Sequence, residues 1–117
     1  MTNPHVVHSL AEARAVMAAR DVGEAVTLES PPAAAGYHGI GWWRALVTAL
    51  TEEFPDREIK AVLDCGSAPG HALAALRAGV KSVRIDAPAE TLAALTEIAA
   101  ALGAAIQQKK PSFRREA

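Results

Sequence analysis

The segment Ala61-Val62-Leu63-Asp64-Cys65-Gly66-Ser67-Ala68-Pro69-Gly70 constrains the fold more than any other. An apolar run ends in Asp, a glycine loop follows, and a proline stands where a helix would begin, which is how a buried strand turns into a helix N-terminus. Near-continuous apolar strands of this kind belong to parallel sheets, whose faces are covered by crossover helices. The question is whether the rest of the chain repeats the unit.

It does. Val6-Val7-His8 reads as a short first strand, and Ser9-Leu10-Ala11-Glu12 has capping-box spacing and opens a helix to about Arg20. Ala25 to Glu29 alternates as a second strand, and Ser30 to Gly41 is a long connection of the type that carries function. A helix follows from Gly41 to Phe54, stopped by Pro55, with Trp43, Leu46, Val47, Leu50 and Phe54 on one face and Trp42 to the side. The third strand is Ile59 to Asp64, and its helix has Pro69 near the start, a Leu73/Leu76 face and Gly79 as a left-handed stop. Val80 to Ile85 is a fourth strand. Pro88 starts a fourth helix with Leu92, Leu95, Ile98 and Leu102 inward, Gly103 ends it, and Ala104 to Ile106 forms a fifth strand.

Strands joined by connections of helix length must run parallel, so the expected fold is α/β, one small domain over residues 1–108 with four to five strands and four helices. A doubly wound sheet is favoured over a half-barrel, because a half-barrel is expected to leave an apolar inner face for a partner to cover. Residues 109–117 read as a basic, solvated tail. At 117 residues, 50% hydrophobic and net charge −1, the composition is that of a globular domain and offers no basic surface for nucleic acid. A lone cysteine and a start without a leader pattern fit a reducing cytoplasm, and no segment is long enough to span a membrane. The alanine-rich helices bury little area per contact, so a homo-oligomer is expected. An exposed tryptophan of the Trp42/Trp43 pair is a natural interface residue.

A parallel sheet gathers the carboxyl ends of its strands along one edge, so chemistry is expected there. His8, Glu29, Ser30, Asp64 to Gly70 and Asp86 belong to that edge, with the loop Gly36-Tyr37-His38-Gly39-Ile40-Gly41 beside it. The candidate ligand contacts are Asp64, Cys65, Gly66, Ser67, Gly70, Asp86, Glu29, Gly39 and Gly41. Backbone N–H groups at the start of the third helix could hold a phosphate, sulfate or carboxylate, while a tight turn that merely needs glycine explains Gly66 and Gly70 equally well. Cys65 before a helix N-terminus with His71 nearby could be a nucleophile, although a core hydrophobe is the commoner role. Glu29 and Asp86 could pair for acid/base work; more simply, Asp86 caps a helix and Glu29 is either solvated or paired with Arg84. Arg84, inside a strand, must lie at an edge, snorkel or line a pocket. The histidine spacing has no metal signature.

Val62 to Gly70 resembles the glycine-rich loop of class I S-adenosylmethionine-dependent methyltransferases in its D-x-G-x-x-P-G form. Asp86, twenty residues after Gly66, stands where that family binds ribose hydroxyls. The resemblance implies that Gly66 and Gly70 adjoin the cofactor and that Asp86 holds its ribose. The same region, with Ala72-Leu73-Ala74-Ala75-Leu76-Arg77-Ala78-Gly79-Val80, also resembles a βαβ unit of aldolase-type barrels. Both resemblances fall within residues 61–86, and the whole chain is assigned to neither. The leading expectation is therefore a small α/β protein that binds an anionic small molecule at the carboxyl edge, with no cofactor or reaction assigned. The alternatives are a non-catalytic homo-oligomeric structural or regulatory subunit and a small barrel-type lyase or methyltransferase-like enzyme.

Overall fold

A computed structural model describes residues 4–109, and within them the chain alternates strand and helix throughout. The strands are β1 (His5–Val6), β2 (Val26–Glu29), β3 (Ile59–Asp64), β4 (Ser82–Ile85) and β5 (Ala105–Gln108). The helices are α1 (Leu10–Ala18), α2 (Ala34–Tyr37), α3 (Ile40–Glu53), α4 (Pro69–Arg77) and α5 (Ala89–Ala101). Local signals set their ends. Ser9 Oγ accepts the Glu12 N–H at 3.1 Å, Gly79 (φ +97°) and Gly103 (φ +71°) release the chain after α4 and α5, and Pro69 stands at the start of α4.

All strand pairs are parallel and the order is β1-β2-β3-β4-β5, so the α/β class and the parallel sheet are as the sequence predicts. Right-handed crossovers in an order without reversal return every helix to the same side. The core agrees with this. One apolar cluster joins Val26, Leu28, Leu63, Val83 and Ile85 of the sheet to Met17 of α1, Ala34 of α2, Trp43 of α3, Leu76 of α4 and Leu95 of α5. The helices that join this cluster therefore share one face of the five-stranded parallel sheet.

The opposite face is mostly polar rather than continuously apolar. By strand alternation it presents Thr27, Glu29, Lys60, Asp64, Ser82, Arg84 and Gln107 together with Val6, Val62 and Ala105. Four sequence expectations change in detail. The long connection after β2 contains the one-turn helix α2, making five helices rather than four. Leu95 and Ala99, not Ile98 and Leu102, are the buried residues of α5; the latter two are 36% and 44% exposed. Asp86 does not cap α5, whose N-cap is Pro88 without a side-chain bond. Lys109 continues the sheet end, its N–H donating to Ile85 O at 2.8 Å. The rest of the expected tail, 110–117, lies outside the described residues. Among those described, no helix is long and apolar enough to cross a membrane.

Candidate functional site

At the carboxyl edge, Asp64 is the hinge of the arrangement. Its Oδ1 accepts the N–H of Gly66 (2.8 Å) and of Ala33 (2.9 Å), so one carboxylate ties the β3–α4 loop to the β2–α2 loop. Its own N–H donates to Ser30 Oγ at 2.9 Å, and the Ser30 hydroxyl donates to Pro31 O. Oδ2 lies 3.3 Å from Lys109 Nζ and 3.9 Å from Arg84 Nη1. Asp64 is buried, and its carboxylate is fully engaged within the protein. In the structure it acts as a latch between the two loops.

Glu29 is likewise committed. Both its oxygens accept from the Arg84 guanidinium, with Nη1 to Oε1 at 3.0 Å and Nη2 to Oε2, while Arg84 Nε reaches Gln107 Oε1 at 3.3 Å. The hydrogen bond to Glu29 raises the Arg84 pKa above its already high ordinary value, against the opposing effect of burial. Register places Glu29 level with Val62 and Asp86 beyond the end of β4, so the partner of Glu29 is Arg84 and not Asp86. Arg84 sits on an interior strand and neither marks an edge nor stands unpaired. The network Glu29–Arg84–Asp64–Lys109 therefore lies on the face away from the helices.

Three of the remaining candidates, Cys65, Gly66 and Ser67, meet at one cleft. A cleft of about 330 Å³ opens between α2 and the β3–α4 loop, lined by Gly36 and Tyr37 on one side and Cys65, Gly66, Ser67, Ala68 and His71 on the other. Gly66 adopts φ +61°, and a Cβ there would stand 3.1 Å from Ala33 Cβ, so the glycine is needed both for the turn and for close approach of the two loops. The N-cap of α4, Ala68, offers no side-chain acceptor. Ala68 O takes the His71 and Ala72 N–H groups, whereas those of Ser67 and Gly70 have no acceptor among the described residues. Pro69 has no N–H. The start of α4 is therefore uncapped, with its partial positive charge toward the cleft.

Cys65 is a core residue, 2% exposed, and burial followed by the Asp64 charge pushes its thiol up to about 12. The opposite shift is what a nucleophile needs. Asp86 is exposed, and its N–H donates to Gly66 O at 2.8 Å, which brings these two sequence candidates side by side. Gly39 (φ +88°) turns the chain into α3 and Gly41 lies in its first turn; neither lines the cleft, and Gly36 and Tyr37 take their place. His8 is bound to Glu12 through both its N–H and Nδ1, which lowers the Glu12 pKa. Trp42 is half-buried and stacks on His38 with ring centroids 4.6 Å apart. No group of three or more His, Cys, Asp or Glu residues placed to hold a metal occurs among the described residues.

No protein-family model matches the chain, and no curated protein matches it.

Proposed function

We propose that the chain is a small α/β binding protein that takes an anionic small molecule in the cleft between α2 and the β3–α4 loop. The observation that carries this reading is the uncapped start of α4 beside a cleft whose lining contains no carboxylate. The Ser67 amide is available as a donor on the cleft wall and the Gly70 amide beside it at the helix start, and helix dipoles favour negative charge at such ends. Asp64, which adjoins the cleft through Cys65 and Gly66, has its charge countered by Lys109 and Arg84, so it opposes an incoming anion less than a bare carboxylate would. His71 on the cleft wall can supply a further donor. A buried thiol with a raised pKa gives no support to covalent chemistry, and no reaction is assigned.

Thermal denaturation with inorganic phosphate, a sugar phosphate, a nucleotide and S-adenosylmethionine tests the reading. A ligand at about a hundred times its Kd stabilises the fold by about 2.7 kcal/mol. Gly70→Asp places a negative charge at the same amides, and a Cβ there meets nothing within 4 Å, so the variant should fold at least as well as the parent. The expected outcome is a rise in Tm with one of these anions that is lost in Gly70→Asp. A flat response to all of them, or an undiminished one in the variant, would refute the proposal.

A further inference from the structure

The middle strand of the sheet carries an anomaly at the end away from the carboxyl edge. Ile59 and Ala61 of β3 face the helical layer yet are only half-buried, while Val26 and Leu28, their register partners on β2, are 1% and 0% exposed. β4 pairs with β3 only at Leu63 and Asp64, so at Ile59 and Ala61 the strand is flanked by β2 alone and its helix-side surface stays open. The short helix α2 contacts β3, α3 and α4, and it lies at the carboxyl end. Lower down, a cavity of about 250 Å³ separates α3 from the turn that joins α4 to β4.

Its chemistry is two-sided. Ile59 and Ala61 form the floor, Trp43, Val47 and Val80 the apolar walls, and Arg44 and Lys81 stand at the exposed rim. Among the described residues, no acidic side chain lines it. Neither Arg44 nor Lys81 has a carboxylate within ion-pair distance among the described residues. A cavity of roughly 150 Å³ already accepts a benzene ring, so this one has room for a compact apolar body with its charged group outward. Two cations above an apolar floor favour a monocarboxylate over a neutral or cationic ligand.

We propose that this cavity is a binding site for a small amphipathic carboxylate, its apolar part on Ile59 and Ala61 and its carboxylate between Arg44 and Lys81. The site lies at the opposite end of the strands from the cleft at α4 and does not depend on it. The ligand replaces the contacts that β3 lacks, so binding also completes the core.

The test is a titration of the intact chain with phenylacetate and with hexanoate, followed by two-dimensional amide NMR. The expected result is saturable shifts of the Trp43 indole and of the Gly79 to Lys81 amides, with Kd on the order of 1 mM or tighter. Phenylacetamide, the neutral analogue, should bind several-fold more weakly, and Arg44→Gln or Lys81→Gln should each weaken phenylacetate about threefold, as for an exposed ion pair. Ala61→Leu fills the floor and should abolish binding without lowering Tm. If Ala61→Leu proves unstable, the two rim variants still decide, because both positions are exposed. The inference is overturned if no shift saturates by about ten times that Kd, if the shifts map to Gly66–His71 instead, or if the amide binds as well as the acid.

Discussion

Replacing Arg84 by Met keeps most of the side chain's apolar bulk and removes its charge, which isolates the role of the network on the face away from the helices. Arg84 gives Glu29 a bidentate partner, bonds Gln107 and stands 3.9 Å from Asp64. The two paired side chains are only 20% and 11% exposed, so Glu29 would be left with a largely desolvated, unpartnered carboxylate. Breaking a fully buried pair from one side costs about 3–5 kcal/mol, and an exposed pair is worth under about 1 kcal/mol. With water reaching part of Arg84, the cost falls between the two ranges, about 2–3 kcal/mol. For a domain of this size that is a fall in Tm of roughly 10 °C, or in urea midpoint of roughly 1.5 M. Equilibrium urea unfolding at neutral pH measures it. The double variant Arg84→Met/Glu29→Leu removes the orphaned charge and should recover at least half of the loss. A single-variant cost under about 0.5 kcal/mol, or a double variant no more stable than the single one, would show that the network is not what holds this face together.

Other consequences can be measured directly. Cys65 should resist iodoacetamide near neutral pH and label only on unfolding; rapid labelling of the native protein would contradict its burial. Because the folded thiol titrates at about 12 against an ordinary value of 9.0, the folded state keeps its proton where the unfolded chain loses it, so stability is full below pH 9 and falls above it. The slope approaches about 1 kcal/mol per pH unit and should vanish in Cys65→Ala. Gly66→Ala should cost about 1–2 kcal/mol from its positive φ and the contact with Ala33, whereas Ala33→Gly relieves a non-glycine φ of +56° and should be neutral to slightly stabilising. Marked destabilisation by Ala33→Gly, read by the same urea assay, would count against strain at that turn. Leu95→Ala should cost about 3 kcal/mol and Leu102→Ala less than about 1, reversing the ranking if the inward face of α5 were centred on Leu102.

Most of the scaffold was legible because its ends carry local chemistry: Ser9 caps, Pro69 starts, and Gly79 and Gly103 stop with positive φ. Helix α2 was not, since its N-cap Ala33 reaches the left-handed region without the Gly or Asn that would announce it. The inward face of α5 was misplaced because leucine and isoleucine spacing gives a stripe but not its centre, and the buried Ala99 weighs little in that pattern. At the carboxyl edge the sequence assembled Asp64, Cys65, Gly66, Ser67, Gly70, Glu29 and Asp86 by position alone. It could not tell which lone pairs were taken. Asp64 and Glu29 are acceptors already filled by Ala33, Gly66 and Arg84, and those bonds span 31, 2 and 55 residues. The Glu29–Arg84 pairing was one of two readings that the sequence left open for Glu29. The role of Lys109 was not, because a charged residue beside a basic stretch looks like the start of a tail.

The strand order, in which each strand's neighbours in the sheet are also its neighbours along the chain, makes the molecule a ladder assembled rung by rung. No strand waits for a distant segment to be inserted between two others, so each loop closed during folding is about one βα unit long and the entropic cost of closure is met in small instalments. Such a ladder opens from its ends. Slow amide exchange should be deepest in β3 and fall toward β1, held by two residues, and β5, leaving a centre that persists after the outer rungs have let go.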